Sequence, residues 1–171
     1  MKKISLEGLL ESTRSYISEV IDTEDIVELH IQQTKDVIEL FHSIGEEKSK
    51  FRYAPGKWSI KELIGHICDC DRVFASRMLH IAKGQKENLP GFDENEFMKH
   101  SNFDDFPLSD LIEQFKTLRE SNIFLFNTFT EEMWDAEGLA DHRKFSVRTI
   151  LYLTVGHTEH HIKVIKERYL N

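Results

Sequence analysis

Two histidines four residues apart, His157 and His161, are the residues of this chain whose type and spacing most clearly suggest chemistry. The stretch Ser146 to Tyr169 has helical periodicity, and at about 100° per residue both side chains project from the same side of a helix, about one turn apart. Two imidazoles at that separation can hold one metal ion. Both fall on the apolar face, where an unpaired imidazole nitrogen costs roughly 1–3 kcal/mol, so a shared metal ion is a good reason for the pair.

The pair can also be compared with two other arrangements of histidines. The two histidines could instead form hydrogen bonds to different backbone or carboxylate groups without any metal. The pair does not match the zinc-protease helix His-Glu-x-x-His, because Thr158 follows the first histidine and Glu159 points away from the histidine face. The motif therefore supplies no general base of the zinc-protease kind.

A third histidine, His66, lies on a second predicted helix. Ser59 and Glu62 form a capping box, so this helix is predicted to begin at Ser59 and to run to about Lys83, with Gly84 ending it. His66 lies on the margin of the apolar stripe. Taken alone, it could equally be a histidine at the edge of the core with one hydrogen bond.

Three residues near His66 are weaker candidates for a role in the site. Asp69 could orient a ligand imidazole or accept a proton, although an ion-paired acid is the ordinary interpretation. Arg77 could receive an anionic substrate group or form a salt bridge to an acidic segment. Cys70 could be a soft metal ligand or a small buried thiol.

The periodicity of the whole chain predicts an all-α fold, a four-helix bundle. A short amphipathic segment over Leu6 to Ile17 precedes it, and the acidic segment Gln85 to Phe106 is predicted as a long crossover between helices 2 and 3, with one short helix near Glu94 to His100. Glu131 to Trp134 is predicted as one further turn, and Gly138 to Lys144 as irregular, since no strand pattern is evident. The four long helices are predicted at Asp25 to Phe41, Ser59 to Lys83, Pro107 to Thr128 and Ser146 to Tyr169.

The composition of the chain indicates how many domains it forms and which partners it can bind. A chain of 171 residues that is 40% apolar can close one core, so a single domain over residues 1–171 is expected. With 22 Lys and Arg against 30 Asp and Glu, the net charge is −8, and no basic cluster stands out. A nucleic-acid partner is therefore not expected.

The first seven residues and the cysteines bear on the compartment. No apolar run follows Lys2 and Lys3, so neither a signal peptide nor a membrane-spanning segment is predicted, and a cytoplasmic protein without a membrane partner is expected. Cys68 and Cys70 diverge on a helix and cannot easily form a disulfide, which fits reduced thiols.

Several motifs together carry a family resemblance. The segments Gly56 to His66, Leu89 to Asn95, Ser146 to Arg148 and Gly156 to His161, in this order, resemble the DinB-like superfamily and, within it, the YfiT-like branch of candidate metal-dependent hydrolases. The resemblance covers the chain from about Tyr16 to Leu170, and the combination is far more specific than any single motif.

The resemblance implies a four-helix bundle with a long crossover, a homodimer, and one divalent metal ion per chain, zinc or nickel. Carried over by position, the three ligands would be His66, His157 and His161. Three protein ligands leave a coordination position for water or a substrate atom. A metal-dependent enzyme acting on a small molecule is therefore expected, either a hydrolase or a transferase of a low-molecular-weight thiol. The alternative is a non-catalytic metal-binding or dimerisation bundle.

Overall fold

The structure is a computed structural model and describes residues 4–171. Lys2 and Lys3, on which part of the compartment prediction rests, lie outside the described residues. Two single 3₁₀ turns occupy Lys48–Lys50 and Phe103–Asp105, and one π-helical turn, Ile165–Tyr169, follows the last helix. The α-helices are α1 Glu11–Ser18, α2 Ile26–Ile44, α3 Ile60–Ala82, α4 Glu94–Lys99, α5 Leu108–Phe126, α6 Glu131–Asp135 and α7 Val147–Val164.

Side-chain caps define where three of the four long helices begin, and α5 begins directly after Pro107. Asp25 accepts hydrogen bonds from the backbone N–H groups of Val27 and Glu28 at the start of α2. Ser59 and Glu62 form the predicted capping box at the start of α3, with each side chain bonded to the other's backbone N–H. Ser146 caps α7 by accepting a hydrogen bond from the backbone N–H of Thr149. The predicted starts are therefore confirmed to within a residue.

The four long helices α2, α3, α5 and α7 form the predicted bundle. α3 packs against α5 and α7, and α2 packs against the same two helices, so α2 and α3 lie diagonally across the bundle. α3 and α5 run parallel, because the N-terminal halves of both helices lie in one apolar cluster, whereas Phe126 at the end of α5 lies in a second cluster with the C-terminal half of α3. The crossover between them must return along the length of the bundle, which is why it is long.

Two apolar clusters fill the two ends of the bundle. One contains Ile26 with the C-terminal half of α3 and the N-terminal half of α7, and the other contains Phe41 with the N-terminal halves of α3 and α5. A layer of buried polar residues lies between the clusters at mid-height. It consists of His30, Gln33, Thr34, His66, Asp71, Arg119, Asn122, Thr154, His157 and Thr158.

A two-stranded antiparallel sheet corrects the prediction that residues 138–144 are irregular. Strands β1, Glu137–Ala140, and β2, Arg143–Ser146, are joined by a turn in which Asp141 and His142 have positive φ angles of 51° and 59°. Leu89 of the crossover forms backbone hydrogen bonds with this hairpin. Four-residue strands are too short to show alternation in the sequence, and the pairing with Leu89 is long-range.

A second correction concerns the outer side of α7. Helical periodicity predicts that Arg148 and Tyr152 lie on the side of α7 opposite His157 and the core, but they are only 7% and 4% exposed. α1 and α6 cover this part of α7, and Arg148 forms ion pairs with Glu131 and Asp135 of α6. Along residues 4–171, none of the helices is both long enough and apolar enough to cross a lipid bilayer.

Candidate metal centre

The three candidate ligands come together in the polar layer. His66 lies in the second turn of α3, and His157 and His161 lie one turn apart on α7, which runs antiparallel to α3. The Nε2 atom of His157 is 3.1 Å from Nε2 of His66 and 3.1 Å from Nε2 of His161. Within residues 4–171, these three side chains form the group whose ligand atoms all lie within 4.8 Å of one another.

Burial keeps the three imidazoles neutral. It lowers the pKa of His66 to about 4 and that of His161 to about 3, where His66 and His160 add to the effect. The pKa of His157 is lowered well below its ordinary value, first by burial and then by His161 and His66. Neutral imidazoles present lone pairs, which is the form that binds a metal.

This geometry fits a metal better than it fits hydrogen bonding. The Nε2 atom of His157 has either one lone pair or one hydrogen, so it can satisfy only one of its two histidine neighbours. The Nδ1 atoms of His157 and His161 are buried and have no hydrogen-bond partner among the described residues. Two metal–nitrogen bonds of about 2.0 Å at a tetrahedral angle place their nitrogens roughly 3.3 Å apart, close to the observed spacing.

All three histidines line one cavity of about 340 Å³. Its walls next to the histidines are aromatic. Trp58 lies 4.9 Å from His66, and Phe74 and Tyr16 lie 5.9 Å and 5.4 Å from His157, measured between ring centroids. A metal held by the three histidines would therefore keep an open side toward a pocket of small-molecule size.

The weaker candidates end up in different places. Asp69 is absent from the lining of the cavity and forms an ion pair with Arg72, one turn further along α3, at 3.3 Å. Arg77 lines the cavity. Cys70 lines it too, with its sulfur 3.7 Å from both ring nitrogens of His66, and burial raises the pKa of this thiol, so it stays protonated. The structure thus brings Arg77 and Cys70 to the cavity and leaves Asp69 outside it.

Tyr16 is a polar residue of the cavity that sequence reasoning missed. It lies on α1, which packs against α7 at Gly156, where a Cβ atom would come within 2.1 Å of the Tyr16 carbonyl oxygen. Burial, with a smaller effect of Glu94, raises the pKa of Tyr16, so its hydroxyl stays protonated and can donate a hydrogen bond into the cavity. The glycine directly before His157 was the available signal for this close approach.

A buried ion pair supports the histidine face from behind. Arg119 of α5 forms an ion pair with Asp71 of α3, both with fully buried side chains, and also donates to the hydroxyl of Thr158 on α7. Gln33 of α2 donates to the backbone oxygen of Val155 at 3.0 Å. The polar layer therefore links all four long helices beside His157.

A bundle of four long helices in which two antiparallel helices offer three histidines to an open cavity defines the class of protein: a helical bundle with a candidate metal centre. The DinB superfamily model matches residues 29–165, and the chain belongs to this family. The resemblance drawn from the motifs is thereby confirmed.

Similar proteins extend this assignment. A protein of Oceanobacillus iheyensis named as a candidate metal-dependent hydrolase is 25% identical over 154 residues, which cover 88% of each chain. The structure of YfiT from Bacillus subtilis, described as a candidate metal-dependent hydrolase with an unusual four-helix bundle topology, has a TM-score of 0.67 at 17% identity and covers 95% of this chain and 89% of its own.

Two further solved structures share the fold. A mycothiol-dependent maleylpyruvate isomerase has a TM-score of 0.67 at 14% identity, over 81% of this chain and 59% of its own. A DinB-like protein of Bacillus subtilis has a TM-score of 0.61 at 23% identity, over 85% of this chain and 90% of its own. At these identities the likeness establishes the fold, and the all-α four-helix bundle is confirmed.

Proposed function

We propose that this chain is a metal-dependent enzyme, in which His66, His157 and His161 hold one divalent metal ion and the adjoining cavity binds a small-molecule substrate. The observation that carries the proposal is the convergence of three neutral imidazoles on the wall of an open cavity, where Nε2 of His157 lies 3.1 Å from Nε2 of both His66 and His161. Zinc and nickel are the proposed metals, because imidazole ligands suit both.

The roles of the residues follow from their positions. The three histidines would hold the ion and leave one side free, and the rings of Trp58 and Phe74 would exclude bulk water from that side. A bound divalent ion would act as a Lewis acid and lower the pKa of a water molecule or a thiol that reaches it. The Tyr16 hydroxyl, which stays protonated, would donate a hydrogen bond to the substrate.

Hydrolysis is the reaction that we propose first. It is supported by the naming of the Oceanobacillus iheyensis relative, which matches most of the chain. Transfer of a low-molecular-weight thiol is the second candidate. It is favoured by the aromatic walls, which suit a soft sulfur nucleophile, and by the shared fold with an isomerase that depends on mycothiol.

Metal content per chain tests the site. The protein is purified without a histidine tag and compared with His161→Ala and with His160→Ala, whose side chain neighbours the site but lies outside the group of three. About one metal ion per chain is expected in the wild type and in His160→Ala, and loss of the ion is expected in His161→Ala. Failure of the wild type to take up zinc or nickel would contradict the proposal.

Activity assays then separate the two reactions. The metal-loaded protein is incubated with activated esters and amides, and separately with an electrophile and a low-molecular-weight thiol. Ester or amide cleavage that His161→Ala abolishes would support a hydrolase, and thiol addition abolished in the same way would support a transferase. A full complement of metal without either activity would favour the alternative, a non-catalytic metal-binding or dimerisation bundle.

A further inference from the structure

Arg77 is a buried cation that forms no ion pair with a carboxylate of residues 4–171. Its side chain is 9% exposed and lines the same cavity as the three histidines. One nitrogen, Nη2, donates to the Pro90 carbonyl oxygen at 2.8 Å, and the guanidinium lies over the ring of Phe92, 5.6 Å from its centroid. The Nε–H group is buried and has no acceptor among residues 4–171. The guanidinium is therefore held in place but not neutralised.

The acidic residues near Arg77 do not form an ion pair with its guanidinium. Asp141 is the carboxylate that acts on Arg77 at longer range, but it forms an ion pair with Arg143. Glu94 also lines the cavity and makes no ion pair with Arg77. Burying a cation is unfavourable unless an anion or several acceptors compensate it. Because Arg77 faces a cavity, a ligand can supply the missing anion.

We infer that Arg77 binds a carboxylate group of the substrate. This inference rests on the proposed function and specifies its substrate class. The guanidinium offers a planar set of donors that matches a carboxylate, including the unpaired Nε–H. Arg77 follows His66 by 11 residues on the same helix (77 − 66), which separates their backbones by about 16 Å along the axis at the rise of an α-helix. Side chains on a helix point toward its N-terminus, and the longer arginine reaches further, so its guanidinium lies nearer to the histidines than the backbone spacing. The substrate therefore spans the cavity, with its reacting group at the histidines and its carboxylate at Arg77.

The test uses protein loaded with cobalt(II), whose visible absorption changes when a thiol binds to it. The protein is titrated with ω-mercaptocarboxylates of increasing chain length, each compared with the ω-mercaptoalcohol of the same length. At one length the carboxylate should bind about tenfold more tightly than the alcohol, as expected for a charge-assisted, two-donor contact. Arg77→Gln should remove this difference and leave the affinity for the alcohol unchanged.

Matched variants make the result specific. Arg72→Gln removes an exposed arginine of the same helix and should keep the preference for the carboxylate. Arg77→Lys keeps the charge without the planar donors and should retain only part of the preference, which covers the case in which Arg77→Gln fails to fold. A wild type without preference at any length, or a preference that persists in Arg77→Gln, would overturn the inference.

A failure of the metal site can be told apart from a failure of this inference. If the protein takes up no cobalt, the proposed function fails, and Arg77 is tested in metal-free protein by NMR with alkanoates of increasing chain length, each compared with the alcohol of the same length. Trp58 lines the cavity and Trp134 does not, so the indole signal of Trp134 is an internal control. At a length that spans the cavity, the alkanoate should shift the Trp58 signal in the wild type and not in Arg77→Gln. No shift in the wild type would overturn the inference.

Discussion

His30 is a buried histidine for which the described residues supply no hydrogen-bond partner at either ring nitrogen. Its ring packs edge-on against Phe126 at 5.4 Å between centroids. Burial, and then the charge of Arg119, lowers the pKa of His30 well below its ordinary value. The residue is therefore neutral in the folded protein, and protonation opposes folding.

The pH dependence of stability follows from this histidine. The unfolded chain takes up a proton at His30 below about pH 6.5, whereas the folded chain does not, so stability present above that pH is lost as the pH falls. His30→Leu should reduce the slope of the unfolding free energy below about pH 6 by about 1.4 kcal/mol per pH unit. Urea denaturation at several pH values measures this slope.

Two comparisons make the His30 experiment decisive. The three histidines of the candidate metal centre contribute a slope of the same sign, so each variant is compared with the wild type under metal-free conditions. His42→Leu, which replaces an exposed histidine of the same helix, is the matched control for the loss of a histidine from α2. At pH 7.5, His30→Leu should keep or raise stability, by roughly 1 kcal/mol, because it removes unpaired polar atoms. An unchanged slope would contradict a neutral His30.

α1 is held on α7 by the absence of a side chain at Gly156. A Cβ atom there would lie 2.1 Å from the carbonyl oxygen of Tyr16, and backbone cannot yield as a flexible side chain can. Gly156→Ala should therefore displace α1 and lower the unfolding free energy by roughly 1–3 kcal/mol, as overpacking does. Thermal unfolding checks this. An increase in stability, from the better helix propensity of alanine, would show that α1 does not pack there.

The pair of Asp71 and Arg119 connects α3, α5 and α7 at mid-height. Removing one partner leaves an uncompensated buried charge, so Asp71→Leu and Arg119→Met should each cost about 3–5 kcal/mol. The double variant should be more stable than either single variant, because both charges are gone. Urea denaturation of the four proteins measures the coupling. Additive losses would mean that the two side chains do not interact.

For the molecule as a whole, binding of the metal should raise the free energy of unfolding. A ligand that binds only the folded state adds about 2.7 kcal/mol at a hundredfold excess over its Kd. For a chain of this size, that corresponds to a rise in Tm of roughly 5–11 °C. Zinc or nickel should produce this rise in the wild type and not in His161→Ala. An equal rise in both proteins would place the binding elsewhere.

The homodimer and the cytoplasmic location stay predictions. The monomer already builds the histidine group and the cavity from its own residues. Light scattering of the purified protein measures the oligomeric state directly.

The sequence alone predicted the features that depend on residues close together in the chain. The four long helices, the cap at Ser59 and the common face of His157 and His161 all follow from helical periodicity and from capping, which act within a few residues. His66 entered the predicted ligand set through its place in a family motif. These predictions needed no knowledge of how the helices pack.

Only the tertiary structure decided which distant residues meet. The parallel course of α3 and α5, the pairing of Leu89 with the hairpin and the arrival of Tyr16 at the cavity depend on contacts between segments far apart in the sequence. The same holds for Arg77 inside the cavity and Asp69 outside it, since both lie on the margin of one helix face. Helical periodicity states which face a residue occupies, but the neighbouring helices determine what that face contacts.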